Sequence, residues 1–138
     1  MPLGIGELLD MARNDRNAGC LDAAERGYAA VADQARAEDQ PLLRAHALRH
    51  VSDLARERGC PAEALSAAVE AVSIYRAERK APRLDLANAL RLNALALSDA
   101  GRQSEARPLW REARDLYSSC GIQAGIDDAD AHLEAASR

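Results

Sequence analysis

The sequence predicts an all-α protein, and its composition, its apolar spacing and an internal repeat support that prediction. Ala and Leu dominate the 48% of residues that are hydrophobic, whereas Phe is absent and only one Trp and three Tyr occur. Ala and Leu favour helices, while strands favour β-branched and aromatic residues. Apolar residues recur three or four positions apart, as on one face of a helix. With 138 residues, the chain fits a single domain, 1–138, with a substantial core.

Two helical hairpins are predicted in the first part of the chain. In the first, about 5–37, Gly19 separates two helices with apolar stripes. In the second, about 42–79, Gly59 ends the first helix and Pro61 opens its partner. Proline is tolerated there because the first residue of a helix has no use for an N–H donor.

A third hairpin, about 84–119, has the most apolar first helix of the chain, with leucines on more than one side. Such a helix normally lies between neighbours. Gly101 ends it. Pro108 lies inside the predicted second helix, where it removes a backbone hydrogen bond, so we expect either a bend or a later helix start.

A last helix, about 126–136, is predicted after Gly121 and Gly125. A final helix after a repeat array usually covers the last apolar face. Ile126 and Leu133 would then pack inward. The alternative is that they form a dimer seam, and we favour the capping role.

The strongest pattern is an internal repeat. The turn glycines Gly19, Gly59 and Gly101 are 40 and 42 residues apart, and other residues repeat in the same register. These are Leu8, Leu48 and Leu90 eleven residues before the glycine, Ala24, Ala64 and Ala106 five after it, and Tyr28, Ala68 and Trp110 nine after it. A fixed period of this length is typical of arrays in which each hairpin stacks on the next.

This register resembles the tetratricopeptide repeat, which has a large and then a small residue in its first helix and an Ala–aromatic–Ala pattern in its second. In the third hairpin the corresponding residues are Leu90, Ala94, Ala106, Trp110 and Ala113. The usual period is about 34 residues, so the chain is similar to longer variants. The resemblance implies an α-solenoid of three hairpins with a capping helix. An up-and-down bundle is the alternative, but the repeated glycines favour the solenoid.

The resemblance also implies a concave groove, lined by the first helix of each hairpin, that binds a protein or peptide. The corresponding ligand positions are Arg13, Arg16 and Asn17, then His46, Arg49, Asp53 and Arg56, then Asn88, Arg91, Leu95 and Ser98. Arg49 and Arg91 occupy equivalent positions. Beside an Asn amide they could bind an acidic group or C-terminal carboxylate of the partner, since the guanidinium fork binds carboxylates bidentately. The alternative is that they pair with nearby acids such as Asp53 or Asp85.

The sequence gives little support to catalysis, cofactors or metals. No CxxC pair, Gly-rich phosphate loop, GxGxxG or nucleophile elbow is present. His46 and His50 are four residues apart, but the sequence HALRH lacks the Glu of the metalloprotease motif. We therefore expect packed or solvated histidines, with a metal or small-molecule site near His46 and Arg49 as a minor option.

Charge and cysteine usage limit the remaining function classes. A net charge of −4 gives no general attraction to nucleic acid, and the dispersed arginines argue against a lipid-binding patch. No targeting or membrane segment is evident. Three separated cysteines, Cys20, Cys60 and Cys120, suit reduced thiols in a cytoplasmic protein. We predict a non-catalytic protein- or peptide-binding module; the alternative is a structural module that self-associates as a homo-oligomer, for example a homodimer.

Overall fold

The protein is all-α in the computed structural model, which describes residues 3–136. No strand occurs in that range, so the predicted fold class is confirmed. The described chain forms seven helices: α1 (Ile5–Asn17), α2 (Leu21–Ala37), α3 (Pro41–Glu57), α4 (Pro61–Ala77), α5 (Arg83–Asp99), α6 (Gln103–Ser119) and α7 (Gln123–Ala136).

The helices stack in chain order. Each packs along the next one, and α3 also contacts α5. Most connections are only three residues long, which forces consecutive helices to run antiparallel. The result is a regular array of helical hairpins, as the internal repeat predicted. No helix of the described range combines the length and the apolarity that crossing a membrane requires.

The repeated turn glycines have a common conformational role. Gly19, Gly59, Gly101 and Gly121 have φ angles between 70° and 81°, a region that other residues rarely adopt. The N–H group of the following residue bonds to a carbonyl oxygen five residues earlier, at 2.8 or 2.9 Å, which closes the helix end. Asp39, at the turn between α2 and α3, also has a left-handed backbone conformation, with a φ of 54°.

The α6 helix begins at Gln103 and contains Pro108, so the later start considered for it is excluded. One helix start differs from the prediction. The α7 helix begins at Gln123, before the predicted start near 126, so Gly125 lies inside it. The reason is that the turn at Gly121 closes α6 by itself, after which the chain is free to re-enter a helix.

Alanines make the helix contacts close, and a few aromatic rings fill the space between them. Two of these rings, Trp110 and Tyr28, are 1% and 2% exposed. As predicted, α5 lies between neighbours, with buried residues on all its sides. Ile126 and Leu133 of α7 pack inward onto the core, which agrees with the capping role of that helix.

Candidate functional site

The odd-numbered helices meet on one side of the array, which we call the A face: the surface on which α1, α3, α5 and α7 contact one another through polar side chains. Arginines of one odd-numbered helix reach carboxylates of the next. Arg16 of α1 pairs with Asp53 of α3. The other pairs are Arg49 to Asp85 at 3.1 Å, Arg56 to Asp99 at 2.7 Å and Arg91 to Asp128 at 2.7 Å.

A groove of about 210 Å³ lies on this face; we call it the arginine groove. It is lined by Arg16, Arg49, His50, Asp53, Asn88, Arg91 and Leu92. The structure therefore brings together five residues of the predicted ligand set, which come from three different helices. They are Arg16 of α1, Arg49 and Asp53 of α3, and Asn88 and Arg91 of α5.

Both equivalent arginines are held in place by a carboxylate and still line the groove. Arg49 donates through one nitrogen to Asp85, and its guanidinium carbon lies 5.9 Å from the centre of the Tyr75 ring. Its side chain is only 16% exposed. Arg91 donates through Nε to Asp128. A guanidinium carries five N–H donors, so each arginine retains capacity for a further acceptor.

Asn88 is oriented by Tyr117 of α6. The Tyr117 hydroxyl donates to Asn88 Oδ1 at 2.6 Å. Burial raises the pKa of Tyr117, so the hydroxyl keeps its proton at neutral pH. With its oxygen bonded to Tyr117, Asn88 still has its NH₂ group available as a donor to a ligand.

His50 is a groove residue that the ligand prediction did not include. Its Nδ1 lies 2.7 Å from Arg16 NH1. Since an arginine nitrogen can only donate, Nδ1 accepts and the ring proton is on Nε2. The ring stacks on Tyr28, with 4.2 Å between ring centres, and contacts His46 edge-on. Burial, then His46 and the charges of Arg16 and Arg49, lower the pKa of His50 to about 4.

The histidines do not gather with other ligands for a metal. Within residues 3–136, no group of three or more His, Cys, Asp or Glu side chains has the geometry to hold a metal ion. Burial is also the main cause that lowers the pKa of His46. Because Arg16 donates to Nδ1 of His50, that nitrogen is occupied by a cation rather than open to one.

The remaining predicted ligand residues lie away from the arginine groove. Arg13 is exposed and pairs with Asp10 at 3.6 Å on its own helix, and Asn17 is exposed at the end of α1. His46 lies beside His50 without lining the groove. Arg56 lies one turn beyond Asp53 along α3, where its ion pair with α5 engages it.

Leu95 and Ser98 of α5 are also engaged elsewhere. Leu95 is 6% exposed and belongs to a core cluster with Trp110 and Ala129. It is buried because α5 lies between neighbours, so a position that the resemblance places in the groove becomes core in this chain. The Ser98 hydroxyl bonds to Gln103 Oε1 at 3.1 Å, across the turn from α5 to α6.

A second groove adjoins the first, and nothing in the sequence analysis indicated it; we call it the α7 groove. It has a volume of about 470 Å³ and shares Asn88 and Arg91 with the arginine groove. Its lining residues are Leu84, Asn88, Arg91, Tyr117, Ile122, Ala124, Gly125 and Asp128. The signal that could have found it is the position of Ala129, 42 residues after Ala87, which places α7 in the register of a fourth first helix.

The lining of the arginine groove is rich in arginine, although the chain has a net charge of −4. It contains three arginines and one carboxylate, and each arginine pairs with an acid: Asp53, Asp85 or Asp128. Such a cluster of guanidinium groups suits a carboxylate or another planar anion.

Comparison with known proteins gives no further guidance. No protein-family model matches the chain, and no curated protein is similar to it in sequence.

Proposed function

We propose that this chain is a non-catalytic module that binds a protein or peptide through a carboxylate held in the arginine groove. The observation that carries the proposal is the convergence of Arg16, Arg49 and Arg91, from three different helices, on one groove with a single acidic lining residue. We also infer that the array is of the tetratricopeptide type, on the strength of the Ala and aromatic register of its hairpins.

Preorganisation supports this function. Asp85 and Asp128 hold the two equivalent guanidinium groups, and Tyr117 holds the amide of Asn88. Because these side chains of the protein are already ordered, binding of a ligand costs little of their conformational entropy, which favours binding. Binding in a groove of this kind also requires no reaction, which fits the absence of a catalytic motif in the sequence.

The test is affinity capture from an extract of the cell that makes the protein, read by mass spectrometry. The wild type is compared with the double variant Arg49→Ala/Arg91→Ala. We expect the wild type to retain a partner that the double variant loses. Retention of the same proteins by the double variant would contradict the proposal.

A matched control separates the groove from general effects of charge and stability. Arg76→Ala/Arg114→Ala removes the same charge and two ion pairs between helices, from Arg76 to Glu112 and from Arg114 to Asp130. Neither arginine lines either groove. This variant should retain the partner. Because Arg49 is largely buried, melting of each variant is measured first and capture is done well below the lowest transition.

Self-association is a second candidate, favoured by apolar exposure on the first hairpin. Leu3, Met11 and Leu21 are 44%, 51% and 41% exposed. Leu3 and Met11 lie next to and on α1, the first helix of the described range, whereas Leu21 begins α2 and lies beside Leu54 of α3. Sedimentation velocity tests this function: we expect a concentration-dependent dimer that Met11→Lys abolishes. A wild-type protein that stays monomeric at high micromolar concentration would exclude it.

A further inference from the structure

The α7 groove extends the arginine groove with a surface of different chemistry. The α7 groove has apolar lining from Leu84, Tyr117, Ile122 and Ala124, whereas the arginine groove is lined by three arginines. Asn88 and Arg91 form the boundary, since both line both grooves. The helix that caps the core thus also forms a wall of the candidate binding surface.

The charges at this boundary direct an acidic group to one groove and away from the other. In the α7 groove the carboxylate of Asp128 faces any occupant, and it already engages Nε of Arg91. A second carboxylate placed there would meet a like charge. Apolar side chains have no such cost and would cover Leu84 and Ile122, which are only partly buried.

We propose that the α7 groove is a specificity subsite that takes a bulky apolar side chain of the same peptide whose Asp or Glu side chain occupies the arginine groove. This inference rests on the proposed function. The two grooves share Asn88 and Arg91 as lining residues. Because an extended peptide advances about 3.3–3.6 Å per residue, the proposal places the apolar residue close to the acidic one along the peptide.

The proposal assigns the carboxylate to an Asp or Glu side chain, because the arginine groove meets the α7 groove at Asn88 and Arg91 and also reaches Arg16 of α1. A side-chain carboxylate leaves the main chain free to continue in both directions. On one side it reaches the α7 groove, and on the other it can follow the surface towards Arg16 and α1. A terminal carboxylate would use only one of these two directions.

The test uses libraries of acetylated, amidated hexapeptides with Glu fixed at the third position and the others randomised. Matched libraries with Gln at that position are prepared with an amidated and with a free carboxyl terminus. Purified protein retains peptides on a column, and mass spectrometry reads the residues enriched at each position. The variant Ala124→Trp fills the α7 groove from an exposed position of its lining. Ala131→Trp makes the same change at an exposed position of α7 that lines neither groove.

For the wild type and Ala131→Trp, we expect enrichment of Leu, Ile, Met or Phe at one position near the fixed Glu, by about tenfold over Ala. Ala124→Trp should still select Glu over Gln but lose this apolar preference. Circular dichroism and thermal melting are measured first, to check that both variants fold like the wild type.

Three results would overturn the inference, and each has a distinct meaning. Selection of Glu without an apolar preference, or the same preference in Ala124→Trp, would remove the subsite and leave the proposed function in place. Retention of a Gln library only when its carboxyl terminus is free would assign the arginine groove to a terminal carboxylate. Retention of no library by any protein would contradict the proposed function itself.

Discussion

At the scale of single residues, Gly125 shows how closely α7 approaches the rest of the array. A Cβ atom at this position would lie 2.4 Å from two carbon atoms of the Tyr117 ring. That ring is 3% exposed and its hydroxyl bonds to Asn88, so it has little freedom to move. Glycine is therefore needed here for contact rather than for an unusual backbone conformation.

We expect Gly125→Ala to lower the free energy of unfolding by about 1–3 kcal/mol, because the added methyl group forces α7 or the Tyr117 ring to shift. Urea denaturation measures the effect. The control is Gly6→Ala in α1, where a Cβ atom would meet nothing within 4 Å. That variant should change stability by less than about 1 kcal/mol, in the stabilising direction. Equal effects of the two changes would contradict the packing account.

His50 makes stability depend on pH. Its pKa falls from an ordinary value of 6.5 to about 4 in the folded protein, first because of burial. Well above pH 6.5 the ring is neutral in both states, and its contribution to stability is fully present. As the pH falls from 6.5 towards 4, the unfolded chain takes up the proton first, so the free energy of unfolding decreases.

We expect His50→Gln to lack this loss, since the Gln oxygen can accept from Arg16 without titrating. The free energy of unfolding of the variant minus that of the wild type should therefore be larger at pH 5 than at pH 7.5. Urea unfolding at the two pH values measures this difference. Using the difference between the two proteins removes the common contribution of the carboxylates. A wild-type His50 that titrates near 6.5 by NMR would contradict the prediction.

At the scale of helices and turns, much of the array could be predicted because local signals agree with the packing. Glycines with positive φ mark four of the turns, and the alanines five residues after three of them are fully buried. The start of α7 was misplaced because a glycine early in a helix resembles a helix breaker. Only the contact between Gly125 and Tyr117 explains its presence, and that contact depends on the tertiary structure.

Pro108 is the exception to this agreement between local sequence and helix packing. It lies inside α6, where it has no N–H group to donate to the carbonyl of Ser104. The residue is exposed, so its ring contributes little to the core. We expect Pro108→Ala to stabilise the protein by about 1–3 kcal/mol, measured by thermal unfolding.

The control is Pro61→Ala at the first position of α4, where no hydrogen bond is regained. This change should alter stability by less than about 1 kcal/mol, in the destabilising direction, because proline is preorganised for that position. A loss of stability in Pro108→Ala would mean that α6 depends on the proline for its geometry.

At the scale of the whole molecule, the candidate site depends on the stacking of several helices. Arg49 and Arg91 could be identified because the repeat makes them equivalent. The acidic partners of these arginines were harder to predict from the sequence. Asp85 was named as a partner, but Asp128 lies on α7, and the register of α7 depends on where that helix begins. Leu95 was placed in the groove by the resemblance and lies in the core instead, because its side of α5 packs against Trp110 of α6 and Ala129 of α7.

The most direct test of the central claim is an NMR titration of the arginine side chains of the ¹⁵N-labelled protein. The probes are an equimolar pool of hexapeptides with one Glu and the matched pool with Gln. We expect the Nε–H signals of Arg49 and Arg91 to shift and saturate with the Glu pool and to stay unchanged with the Gln pool. Arg76, outside both grooves, serves as the internal reference. Equal shifts at Arg76, or none at Arg49 and Arg91, would contradict the account.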